Sequence, residues 1–197
     1  KSRSLPNKFE VFLLSLLHFN GRQYSVSNAH VLGLCFVLFY KRLKSSAYWQ
    51  MLEVLFGEVN SYSLPSIVVL GVIAKNLGDS FKSKLSNFIE VLLKCSNQSY
   101  MPFICQCFRR ILKGTGNFLM QNIPQIFEFV FRGASTTDDE LRIEAVKTLP
   151  VLMEFAEYPY AKLLPILRIS IPISTPRVRF ATAKALSKIL LLAYKLT

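Results

Sequence analysis

Thr175-Pro176-Arg177-Val178-Arg179-Phe180-Ala181-Thr182-Ala183-Lys184-Ala185-Leu186-Ser187-Lys188-Ile189-Leu190 decides the fold of this chain. Ser174, Thr175 and Pro176 form a helix start. A hydroxyl can cap free backbone N–H groups there, and the fixed φ of proline suits a first turn. Val178, Thr182, Leu186 and Ile189 then recur at steps of three and four, which places them on one helical face. Ala181, Ala183 and Ala185 are small enough to let a neighbouring helix approach.

The same pattern recurs upstream. Leu141-Arg142-Ile143-Glu144-Ala145-Val146-Lys147-Thr148-Leu149 overlays Val178 to Leu186 at an offset of about 37 residues, the length of a two-helix repeat. Arg142 then matches Arg179, Lys147 matches Lys184 and Leu149 matches Leu186. One further step back brings Ile104, Phe108, Arg110 and Leu112 to equivalent places. Ile67 with Gly71, and Ala29 with Gly33 and Val37, continue the series through hydrophobic positions alone. The pattern predicts about five copies of a helix pair, hence about ten helices, successive ones packing antiparallel across short connections.

Two features of these units resemble HEAT repeats, the armadillo-like α-solenoid superfamily. Leu141-Arg142…Ala145…Leu149 and Val178-Arg179…Ala181…Ala183…Ala185-Leu186 resemble the second helix. Ile123-Pro124-Gln125-Ile126-Phe127-Glu128-Phe129-Val130 and Leu164-Pro165-Ile166-Leu167 resemble the proline-bearing first helix. The order and spacing of the helices is also similar to the very large HEAT accessory proteins of clathrin adaptors. The resemblance implies an all-α, right-handed solenoid with the second helices lining its concave side. Because the superfamily shares a packing scheme rather than an activity, it leaves the function open.

Composition agrees with a packed helical domain. Hydrophobic residues make up 51% of the 197, including sixteen Phe, which is too many for disorder. Neither Val31 to Tyr40 nor Ile67 to Ala74, the most apolar runs, approaches the roughly 20 residues that span a bilayer. Charge at Lys8 and Glu10 precedes the first apolar run, unlike a signal peptide. The chain starts without Met, so we expect one HEAT-repeat domain over residues 1–197, cut from a longer solenoid. Its last helix carries Leu190, Leu191, Leu192 and Leu196, an end face suited to a next repeat or a partner.

The helices expected in order are Lys8 to Asn20, Ser27 to Lys44, Ser46 to Asn60, one opened by Ser63-Leu64-Pro65 and closed by Gly78, Ser80 to Cys95, and Tyr100 to Lys113. After a turn at Gly114-Thr115-Gly116 come Asn117 to Arg132, a polar loop from Gly133 to Thr137, and a helix to about Phe155 bent at Pro150. A helix from Pro159 to Pro172 precedes the final one.

No catalytic constellation is present. His18 and His30 have no carboxylate or cysteine at ligand spacing. Cys105-x-Cys107 has the wrong spacing for a zinc knuckle and no second pair. Cys35, Cys95, Cys105 and Cys107 lie inside apolar patterns and read as buried free thiols, which suits a reducing compartment, cytoplasmic or nuclear. Gly114-x-Gly116 lacks the lysine and the preceding strand of a phosphate loop. Asp138, Asp139 and Glu140 could imitate paired catalytic carboxylates, but a helix N-terminus accounts for them. No cofactor, metal or enzymatic activity is expected. The reading of HEAT-like DNA glycosylases lacks its aspartate–aromatic grouping.

The net charge of +12 directs attention to anionic partners: nucleic acid, an acidic protein or an anionic membrane surface. Arg110, Lys147 and Lys184 share one repeat position, with Lys113 and Lys188 about one turn beyond. On stacked second helices these five would form a ladder able to engage phosphates or an acidic peptide. The alternative is a solvated face on which each stem covers apolar surface. The leading reading is a non-catalytic scaffold or adaptor that binds protein partners along this surface. Nucleic-acid binding through the basic concave face is one alternative. Binding of tubulin or another acidic partner, by analogy to TOG domains and with Trp49 near a helix start, is the other.

Overall fold

Thirteen residues from Leu64 to Asn76 make a helix apolar on every side, buried continuously from Ser66 to Ala74. Such a helix has to be covered all round, and helices before and after it in the chain pack against it. The computed structural model describes Lys8 and residues 26–43, 47–60, 63–155 and 175–196. Among them, all regular structure is helical, and eight helices have ten residues or more. They are α1 (Val26–Leu43), α2 (Ala47–Asn60), α3 (Leu64–Asn76), α4 (Leu85–Lys94), α5 (Met101–Thr115), α6 (Ile123–Ala134), α7 (Asp139–Met153) and α8 (Pro176–Leu196). The expected helices at Lys8 to Asn20 and Pro159 to Pro172 fall on residues outside this description, Lys8 excepted.

The starts follow local chemistry. Ser63 is extended at the N-cap of α3 with Pro65 in the first turn, and Pro102 and Pro124 hold the same place in α5 and α6. Asp138 caps α7, its Oδ1 accepting the Leu141 N–H at 2.9 Å, while Asp139 and Glu140 charge the first turn favourably. Pro150 lies inside α7, as expected.

Four boundaries differ from the sequence expectation. The expected helix from Ser80 is broken into a short turn, Gly78–Phe81, and a 3-10 segment, Lys82–Lys84, before α4. This turns Phe81 inward, where its ring stacks on Phe56 at 5.4 Å and meets Phe88 edge-on at 5.7 Å. The expected turn at Gly114-Thr115 is helical instead. Thr115 Oγ1 donates to the Ile111 carbonyl at 2.8 Å, and α5 persists to lie against α3. The chain then turns through Gly116–Phe118, and α6 starts at Ile123 rather than Asn117. Fully buried Leu119 anchors that turn, its carbonyl accepting from Asn122 and Ile123 at 2.8 and 3.0 Å. At its other end α6 runs through Gly133, where the loop was expected, because that glycine is buried against Leu141 and Ala145.

The packing follows a simple order. α3 lies on α1, α5 on α3, α7 on α5 and α8 on α7. A second set, α2, α4 and α6, covers one side: α2 contacts α3 and α4, α4 contacts α6, and α6 contacts α5 and α7. One hydrophobic core runs from Ala29 in α1 to Ile189 in α8. Phe108 and Phe129 meet edge-on within it at 5.4 Å. Leu190 and Leu191 at the end of α8 are exposed, whereas Leu192 packs partly against the core.

The four cysteines are free, three buried and Cys35 half-buried. Burial pushes the Cys107 thiol up to about 12, and its Sγ donates to the Ile67 carbonyl at 3.5 Å. Burial and then the Glu144 carboxylate push Cys105 up to about 12 as well. Only thiolates are good nucleophiles, so at pH 8 both should resist a thiol-reactive dye in the folded protein. Unfolding in denaturant should release them within the mixing time. Ready labelling of either in the native state, read by mass spectrometry, would contradict this packing.

Candidate functional site

α5, α7 and α8 lie side by side, and their exposed faces enclose a groove. The floor is apolar: Ile143 and Val151 from α7, Ala181 and Ala185 from α8, all buried. The alanines let α8 sit close to α7, as their size predicts. The walls are cationic. Arg109 and Lys113, four apart on α5, form one side. Arg177, Lys184 and Lys188, on one stripe of α8, form the other, and Lys147 stands between them. Phe180 also lines the groove with its side exposed to water, 72% accessible.

Six basic side chains thus line one concavity, and two carboxylates beside it neutralise part of their charge. Glu144, with a side chain only 9% exposed, accepts from Arg109 Nη2 at 2.9 Å through Oε2 and from Lys147 Nζ at 2.6 Å through Oε1. Glu140 pairs with Arg177 at 2.8 Å, joining the first turns of α7 and α8. Thr175 Oγ1, donating to Asp139 Oδ2 at 2.7 Å, ties the same two ends. Lys113, Lys184 and Lys188 are exposed and make no ion pair among the described residues.

Four of the five residues picked from the repeat register, Lys113, Lys147, Lys184 and Lys188, line this groove. Arg110 is not among its lining residues. Its neighbour Arg109 takes the place facing α7, because consecutive helical residues point about 100° apart. Arg110 is instead half-buried within electrostatic reach of His30, and its buried guanidinium nitrogen Nη1 has no hydrogen-bond partner among the described residues. Burial holds its guanidinium below the usual arginine range, and burial followed by Arg110 and Lys75 lowers His30. Arg109, Arg177 and Phe180 were not picked out from sequence. For the two α8 residues the signal was available, since steps of three and four from Lys184 reach Ala181, Phe180 and Arg177.

Among the described residues no group of His, Cys, Asp and Glu could hold a metal ion, and no helix is long and apolar enough to cross a membrane. Comparison with protein-family models, with curated proteins and with solved structures finds no match.

Proposed function

We propose that this chain is a non-catalytic scaffold module of the HEAT-like solenoid type that holds an anionic protein partner against its stacked second helices. The order of packing supports the solenoid: each of α3, α5, α7 and α8 rests on the second helix before it. One observation carries the functional reading. Among the described residues, side chains from α5, α7 and α8 converge on a groove with six cations, and carboxylates answer only three of them. A merely solvated face would not need to be concave or floored with apolar side chains.

The test is a triple charge reversal, Lys113→Glu, Lys184→Glu and Lys188→Glu. All three positions are exposed, so the helical circular dichroism should be unchanged. Retention of the wild-type chain on immobilised polyglutamate should fall steeply with salt, and the variant's affinity should drop by roughly 100-fold, about 1 kcal/mol for each reversed rim charge. Equal retention of both proteins would remove the groove from consideration. Robust turnover of any substrate by the purified chain would overturn the scaffold reading.

Nucleic-acid binding is the second reading, and Phe180 favours it, because an exposed ring beside lysines is a platform on which a base can stack. It predicts retention on single-stranded DNA or RNA at low salt, lost in the same triple variant.

A further inference from the structure

If the groove holds an anionic protein, its composition narrows the kind of segment that fits. Resting on that protein-binding reading, we propose that the groove between α5, α7 and α8 docks an acidic amphipathic helix, its apolar face on Phe180, Pro150 and Val151 and its carboxylates on Lys113, Lys184 and Lys188.

Charge complementarity gives the sign of the occupant. Arg109, Lys147 and Arg177 already have carboxylate partners within the chain. Among the described residues, that leaves Lys113, Lys184 and Lys188 as the cations able to take an incoming anion without breaking an internal pair. Spacing gives the occupant its shape. Lys184 and Lys188 are one turn apart on α8, about 6 Å along the axis. Glutamates four apart on a partner helix have the same separation. Lys113 stands across α7 on α5, two helix packings away and so roughly 16–20 Å from the axis of α8. An α-helix with its side chains is about 10–12 Å across, which lets it lie over α7 between the two walls.

The floor decides between ligand classes. Ile143, Val151, Ala181 and Ala185 offer no donor to a phosphate, and their side chains form an apolar bed with Pro150. The helix-in-groove mode needs such a bed together with one projecting anchor or socket, and the exposed Phe180 ring supplies the anchor. A single strand of nucleic acid takes its affinity from successive aromatic platforms, and among the described residues Phe180 is the one aromatic in the groove's lining.

The full chain is titrated by fluorescence anisotropy against four labelled probes. The first is a peptide of about four helical turns with glutamates four apart on one face and leucines on the other. The second is the same composition scrambled to remove the amphipathic face, the third polyglutamate and the fourth a single-stranded oligonucleotide. The amphipathic peptide should bind at least about 10-fold tighter than the scrambled one, gaining helical circular dichroism as it does so. Phe180→Ala should weaken it about 10-fold at high and low salt alike, since a stacking contact is not screened, whereas the triple lysine reversal should abolish its salt dependence. Phe180 is exposed, so neither variant is expected to unfold the chain. If the scrambled peptide and polyglutamate match the amphipathic one and Phe180→Ala changes nothing, the helix-docking proposal fails while the anionic-protein reading stands. If the oligonucleotide alone binds, both fall.

Discussion

Gly114→Ala should destabilise the protein by roughly 3 kcal/mol, the upper end of what overpacking usually costs. A Cβ at Gly114 would stand 2.3 Å from the Ala74 carbonyl oxygen and 2.6 Å from the Lys75 Cα. A Cβ at Gly78 would stand 2.2 Å from the Gly114 oxygen. The obstructing atoms are backbone, so no rotamer change relieves the clash, and α3 and α5 must separate at their C-terminal ends. That separation disturbs α5, against which α7 packs, and through α7 the seat of α8. Alanine's better helix propensity returns only about 1 kcal/mol. Gly57, in α2, provides the control: it is exposed, and a Cβ there meets nothing within 4 Å. Gly57→Ala should therefore stabilise the protein by about 0.5–1 kcal/mol. Urea unfolding separates the two cases, the midpoint moving down for Gly114→Ala and up for Gly57→Ala at an unchanged slope. A Gly114→Ala protein as stable as wild type would mean that the two helices do not touch there.

The same glycine shows where sequence reading reaches its limit. Capping chemistry is local, so Ser63-Leu64-Pro65, Asp138 and Thr175-Pro176 marked the starts of α3, α7 and α8 within a residue or so. The all-helical fold was also legible, because it needs only apolar positions recurring at steps of three and four. Gly114 looked like punctuation because glycine usually is. Its actual role, close approach to a helix almost 40 residues earlier in the chain, leaves no local trace. The site divides in the same way. Lys147 and Lys184 could be found because they repeat. Arg110 misled because a repeat register accurate to one residue still leaves about 100° of rotation undetermined. Only the pairing of Arg109 with Glu144, made across two helices, settles which arginine faces the groove.

Glu144 joins stability and binding in one carboxylate, and Glu144→Ala should move the two in opposite directions. Its side chain is 9% exposed and holds Arg109 and Lys147 together. Arg109 also carries a buried Nη1 without a partner among the described residues, so it is poorly placed to lose its counter-charge. Removing one side of a buried ion pair costs about 3–5 kcal/mol. The Arg109 and Lys147 side chains remain 24% and 47% exposed, so solvent screening should reduce this to about 2–3 kcal/mol. The groove meanwhile gains a net positive charge and two released cations. An acidic probe should then bind several-fold tighter at low salt, with a steeper loss of affinity as salt rises. A residue that served packing alone would lower the urea midpoint and leave the salt dependence unchanged. One that served only to tune the groove would do the reverse. Pairing Glu144→Ala with Arg109→Met separates the contributions: if the carboxylate chiefly answers Arg109, the double variant should recover part of the lost stability, with a coupling of about 0.5–3 kcal/mol. It should also lose the extra affinity contributed by Arg109. Additive effects in the cycle would show that Glu144 and Arg109 do not act as a pair, and Lys113, Lys184 and Lys188 would then have to account for the groove's charge by themselves.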